Sequence, residues 1–178
     1  MTEETEVRWA GNFIQVKKAG RWEYVSRTRG VSAAVVLAVD DGKAVLVEQY
    51  RVPIGARCLE LPAGLVGDGD EGEEVEAAAI RELEEETGYR ASGMVNLGKF
   101  YASPGMSSEG FTLLRAVGLT RVGEGGGIEG EDIAVHLVPL EQVPAFVAAK
   151  RAEGIAIDVK LLLLLAATMM SEASSPRT

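Results

Sequence analysis

Between residues 81 and 88 the chain reads Arg-Glu-Leu-Glu-Glu-Glu-Thr-Gly, and on a helix these carboxylates crowd one face. Glu82 lies one turn before both Glu85 and Glu86, at i,i+3 and i,i+4, so the charges repel unless something holds them. One answer is a solvated acidic face softened by Arg81. The other is a hard divalent cation, which turns repulsion into coordination. Mg²⁺ takes one or two carboxylates, keeps several waters and binds substrate phosphates. The single His136 excludes a two-His motif, and with the single Cys58 it excludes a Cys/His zinc cluster and an intrachain disulfide. A metal bound here needs mainly carboxylate ligands.

The upstream sequence decides between the two answers. Gly67 and Glu73 extend the run to Gly-x5-Glu-x7-Arg-Glu-Leu-x-Glu-Glu-x-Gly-Tyr, from Gly67 to Tyr89 without a gap. This segment resembles the Nudix box. The resemblance implies a loop–helix–loop whose glutamates surround one to three Mg²⁺ ions at a diphosphate, with Mn²⁺ able to substitute. By that resemblance Glu82 and Glu86 are metal ligands, and Glu85 is a third candidate, for metal or catalysis. Arg81 and Glu73 are the pair that braces the helix, and Gly67 and Gly88 are turn positions that need backbone freedom.

Three further segments are similar to the ADP-ribose pyrophosphatase branch of that family: Gln49-Tyr50-Arg51, Leu59-Glu60-Leu61-Pro62-Ala63-Gly64 and Ser103-Pro104-Gly105. Pro104 stands sixteen residues after Gly88, close to the spacing that marks the branch. The resemblance implies that the Ala63 carbonyl completes the metal site, and that Glu129 or Glu131, in a late glycine-rich loop, orients or deprotonates the attacking water. The matches run from about Arg29 to Leu140.

Ordinary readings stand beside these. Arg51 either contacts phosphate, which suits a guanidinium, or pairs with surface acid. Glu129 and Glu131 are otherwise plain solvated loop residues. Trp22 and Tyr24 alternate like core strand residues, although an exposed ring can stack on a base. His136 reads as structural and Cys58 as a small packed hydrophobe. Other motifs fail. Gly125–Gly130 fits Gly-x-Gly-x-x-Gly, but a strand-like run follows where a dinucleotide fingerprint needs a helix. Asp68-Gly69-Asp70 begins like a calcium loop but lacks its later Gly and Glu. A Gly-x4-Gly-Lys-Ser/Thr P-loop does not occur.

The elements that must position these groups follow from patterning. Alternating runs at Phe13–Val16, Trp22–Val25, Ala34–Val39 and Ala44–Val47 read as strands, the last two joined through Asp41-Gly42 as a hairpin. A helix is expected over Glu73–Thr87, ended by Gly88. Strands follow at Met94–Ala102, Phe111–Val117 and Ile133–Leu140. Two helices close the chain, Glu141–Ala152 and Ile157–Met170, the second a buried one. The fold class is α+β, and the resemblance makes it a Nudix fold: a mixed β-sheet sandwiched between helices, with an extra N-terminal antiparallel sheet. The expected units are 1–28 for dimerisation and the nucleoside pocket, 29–172 for the hydrolase domain, and 173–178 as a polar tail.

The 178 residues, 47% hydrophobic and 25% charged, suit one globular domain. Eighteen Lys and Arg against 27 Asp and Glu give a net charge of −9, which argues against broad binding to nucleic acid or anionic membrane. The acidic start, without an apolar run, predicts a cytoplasmic protein. With these readings, the resemblance implies Mg²⁺-dependent hydrolysis of ADP-ribose to AMP and ribose 5-phosphate by a homodimer. The alternatives are a GDP-mannose or other nucleotide-sugar pyrophosphatase, and a Nudix-fold binding module without catalysis.

Overall fold

The structure is a computed structural model that describes residues 4–28, 31–67 and 72–173, the last three without their side chains. The Asp68-Gly69-Asp70 triplet, the start of the expected domain at Arg29 and the tail beyond residue 173 lie outside the described residues. In chain order the strands are β1 (Thr5–Ala10), β2 (Ile14–Ala19), β3 (Trp22–Arg27), β4 (Ser32–Leu37), β5 (Val39–Asp40), β6 (Lys43–Arg51), β7 (Ala56–Glu60), β8 (Ala63–Val66), β9 (Tyr89–Phe100), β10 (Phe111–Arg121), β11 (Ala134–Pro139) and β12 (Ala156–Ile157). The helices are α1 (Val75–Thr87), α2 (Val143–Ala152) and α3 (Leu162–Ala173).

Among the described residues the strands form three sheets. One is the antiparallel meander β1-β2-β3, the second runs β8-β4-β10-β9, and the third runs β11-β6-β7-β12 with β5 also paired to β6. The last two are mixed, because β4 and β10 pair in parallel, as do β7 and β12. Alternation puts successive residues of one strand on opposite faces. In β4, Val35 enters a core with Val143, Val147, Leu161 and Leu165 of the C-terminal helical segments, while Ala34 and Val36 enter a second core with Ala79 and Leu83 of α1. The sheets therefore carry α1 on one face and α2 and α3 on the other. This is a helix–sheet–helix sandwich with an additional N-terminal antiparallel sheet, the architecture that the resemblance implies.

Several boundaries differ from the sequence expectation. The helix begins at Val75, so Glu73 lies in the preceding loop. The Asp41-Gly42 turn, with φ of 44° and 73°, joins only the short β5 to β6, whereas β4 pairs with β8 and β10. The expected helix from Ile157 is split. Ala156–Ile157 pair with Cys58–Leu59, a 3-10 turn spans Val159–Leu161, and α3 starts at Leu162. It is also not a buried helix: Leu161 and Leu165 are buried, but Leu162, Leu163, Met169 and Met170 are exposed. No helix among the described residues is long and apolar enough to cross a membrane.

Candidate active site

Helix α1 is fixed by its apolar stripe, with Ala78, Ala79 and Leu83 fully buried. Its C-terminal end is fixed by glycines. Gly88 takes φ 73° and donates its N–H to Glu84 O. Two carbonyls that the helix leaves unpaired are then covered by the late loop: Gly126 N–H donates to Glu86 O at 2.8 Å and Gly127 N–H to Glu85 O at 3.0 Å. The approach admits no side chain, because a Cβ at Gly125 would overlap the Thr87 backbone and one at Gly88 the Gly123 carbonyl. The glycine run that fails as a dinucleotide fingerprint thus clamps the loop bearing Glu131 onto the helix end bearing Glu85 and Glu86.

The facing wall is β8. Ala63 N–H donates to Glu86 Oε2 at 3.0 Å. A Cβ at Gly64 would overlap the Glu82 carboxyl group, so glycine is needed for Glu82 to lie against the strand. Between helix and strand lies a cleft of about 670 Å³ onto which Arg51, Ala63, Glu73, Arg81, Glu82, Glu85, Glu86 and Glu131 all open. Arg81 reaches Glu73 at 3.1 Å, Glu82 at 3.0 Å and Glu85 at 3.1 Å. Glu73, bonded to Arg81 and to the Gly67 backbone, is held below the ordinary carboxylate range.

Glu82 and Glu86 shift upward. Burial raises Glu82 despite Arg81 beside it. Burial raises Glu86 to about 8; the Ala63 N–H opposes the shift, and the negative charges of Glu82 and Glu131 add to it. Glu86 is only 6% exposed and forms no ion pair among the described residues. A buried carboxylate in that position either binds a proton or awaits a cation. This deficit is the observation that fits a divalent ion: hard oxygen donors gathered without full neutralisation, open to solvent on one side. Among the described residues no three His, Cys, Asp or Glu side chains form a ready-made cage. Mg²⁺ characteristically completes its shell with water and substrate oxygens.

A second pocket, of about 620 Å³, opens from the same wall and shares Arg51, Ala63, Gly64 and Leu65 with the acidic cleft. Its cations are each paired: Arg51 with Glu60 through bonds of 2.6 and 2.8 Å, Arg27 with Glu109 at 2.6 Å, and Lys160 with Asp158 at 2.7 Å. Val35, Ile54, Cys58, Leu65 and Phe111 are among its apolar lining. Burial pushes the Cys58 thiol up to about 11, away from nucleophilic use.

Three residues expected at the site open onto neither pocket: Glu129, Trp22 and Pro104. Glu129 is exposed on a turn, and Trp22 is 60% exposed on β3. Pro104 lies in the loop that carries the N-terminal sheet, where Val25 N–H donates to Met106 O and Ser108 N–H to Val25 O, both at 2.9 Å. For Ala63 the contact seen is its N–H, not its carbonyl. Gln49 and Gly64 line the cleft without having been assigned a role, and Glu60 holds Arg51. All three lie inside segments that carry the family resemblance.

The NUDIX domain model matches residues 28–158. The chain belongs to the Nudix family. It is 42% identical over 92 residues to an ADP-ribose pyrophosphatase of Bacillus subtilis, a match covering 52% of this chain and 47% of that protein. It is 35% identical over 147 residues to a GDP-mannose pyrophosphatase of Cronobacter sakazakii, covering 77% of this chain and 72% of that one. The first match spans about half the length of that curated relative. A crystal structure of an ADP compounds hydrolase superposes with a TM-score of 0.68 over 98% of this chain and 96% of that chain; at 20% identity the likeness is one of fold. The chain is thus a Nudix protein similar to ADP-ribose pyrophosphatases.

Proposed function

We propose that this Nudix protein hydrolyses the diphosphate bond of ADP-ribose, giving AMP and ribose 5-phosphate, with Mg²⁺ as its ion. The observation that carries the reading is the under-neutralised Glu82–Glu86 pair facing Ala63 and Gly64, with Arg51 at the mouth of an adjoining pocket. Glu82 and Glu86 would hold the ion, with Glu85 within reach of the same cleft. Bound there, it supplies charge neutralisation for the diphosphate and a more acidic water. Arg51 binds diphosphate oxygens, its guanidinium already oriented by Glu60. Glu131 accepts the proton of the attacking water, a role in which it is preferred to Glu129 because it opens onto the cleft. The second pocket receives one end of the substrate. Attack by water needs no covalent enzyme intermediate.

GDP-mannose is the second reading, favoured by the longer match to a protein of that name. The N-terminal sheet β1-β2-β3, within the expected unit 1–28, is proposed as a dimer contact that also shapes the second pocket through Arg27. The deciding experiment is a Mg²⁺-dependent assay of ADP-ribose, GDP-mannose, UDP-glucose, NADH and diadenosine polyphosphates for phosphatase-sensitive products. ADP-ribose is expected to give the highest kcat/KM. Preference for GDP-mannose promotes the second reading, and inactivity of the folded, metal-bound protein on the whole panel supports a binding module.

A further inference from the structure

We infer that Arg57 and Asp132 are positioning residues that pin the loop bearing Glu131; the inference rests on the hydrolase reading above and deepens it. The loop is held at one end by the glycine bonds to α1 and enters β11 at Ala134, with Glu131 between. Its carboxylate is oriented locally, since Ile128 N–H donates to Glu131 Oε2 at 3.0 Å, but that bond lies within the loop and cannot place the loop on the protein. The adjacent Asp132 supplies the anchor. Arg57 donates to Asp132 Oδ2 at 2.7 Å.

Arg57 is a fixed post. Its other nitrogens donate to Glu48 Oε1 at 2.7 Å and to Glu48 O at 2.9 Å. Glu48 is 6% exposed and is also held by Lys150 of α2 at 2.9 Å and His136 of β11 at 3.2 Å. Burial alone would raise Glu48, but Lys150 and Arg57 outweigh it and hold the carboxylate at about 2. The guanidinium is therefore immobilised before it meets the loop, and the bond to Asp132 fixes the loop without ordering a free side chain. Asp132 itself is 88% exposed, and exposed ion pairs contribute little to global stability. What the pair contributes is geometry at Glu131, where small misplacements of a catalytic group cost rate.

The test compares Asp132→Asn, Arg57→Lys, Arg57→Ala, Glu131→Gln and the Asp132→Asn/Glu131→Gln double variant, with ADP-ribose and Mg²⁺. Asp132→Asn leaves every Glu48 partner in place, so it remains informative if Arg57→Ala fails to fold. Its kcat is expected to fall about tenfold with KM nearly unchanged. In the Glu131→Gln background it should cost nothing more, because the pin acts through Glu131. Hydrogen exchange should quicken over residues 127–131 and stay unchanged in α1. Wild-type kcat in Asp132→Asn, a loss that multiplies fully with that of Glu131→Gln, or unaltered loop exchange would each overturn the assignment. An inactive wild type would remove the hydrolase reading, and exchange would still decide whether the pin exists.

Discussion

Glu86 combines deep burial with a carboxylate that forms no direct ion pair among the described residues, and two predictions follow at this scale. Its folded pKa of about 8 lies above the unfolded value of 4.5, so the native state holds the proton more tightly. The metal-free protein therefore loses stability as pH rises from about 4.5 through 8, where the unfolded carboxylate has ionised and the buried one must follow. Glu86→Gln removes that penalty and can still accept from Ala63 N–H. In EDTA at pH 8 it should be more stable than wild type by up to a few kcal/mol, an advantage that vanishes near pH 4. Mg²⁺ should raise the Tm of wild type and not of the variant, while turnover falls roughly a hundredfold or more. Equal Tm values at pH 8 without metal would show that Glu86 carries no such strain. Gly64→Ala probes the same wall: the new Cβ must displace the flexible Glu82 side chain. The expected outcome is a near-normal Tm with turnover down tenfold or more and a higher Mg²⁺ requirement. Normal turnover would place Glu82 outside the metal site.

At the scale of elements, legibility follows local signal. Helix α1 was readable because Ala79 and Leu83 recur at helical spacing and Gly88 stops it. The acidic run was readable because Gly67 and Glu73 upstream complete the box around it; the charge crowding alone left a solvated face open. Strands β7 and β8 were not, since Ala56–Val66 mixes Arg57, Glu60, Pro62 and Gly64 among apolar residues, and β8 pairs with β4 and β7 with β12 across long stretches of chain. Strand β12 is two residues long and merges with the leucine run that follows. For the same reason Gln49 and Gly64 have no signal apart from the segments around them: their place in the cleft comes from strand pairing, not from residue type. Gly125 is the case where an element's function rests on a backbone position. With φ at 71° and the Thr87 backbone against the site of its absent Cβ, Gly125→Ala should destabilise by about 1–3 kcal/mol in urea. It should also lower kcat by moving the Glu131 loop off α1. Unchanged stability and rate would mean the loop can close on the helix in another way.

Across the whole molecule, the least self-sufficient part is the sheet β1-β2-β3. Every residue of β1 is exposed, and Val7, Trp9, Phe13, Ile14 and Trp22 are each between 42% and 70% exposed. A three-stranded meander with apolar rings on its open surface is marginal in water and invites a cover. Its described ties to the body are few: Val25 to Met106 and Ser108, and Arg27 to Glu109 at the edge of the second pocket. A second copy of the chain, meeting it in a closed symmetric pair, would cover the rings and leave no edge open for further growth. Deleting residues 1–28 should therefore convert a dimer to a monomer in light scattering. The loss of Arg27 should also raise KM for ADP-ribose, while the Glu82–Glu86 cleft, built wholly from residues beyond 48, keeps its metal-dependent rise in Tm. Phe13→Glu together with Trp22→Glu should weaken the dimer with the chain intact, because two charges then face the partner's apolar surface. A truncated protein that stays folded, keeps the full-length mass ratio and binds ADP-ribose with unchanged KM would show that the sheet neither pairs subunits nor shapes the pocket.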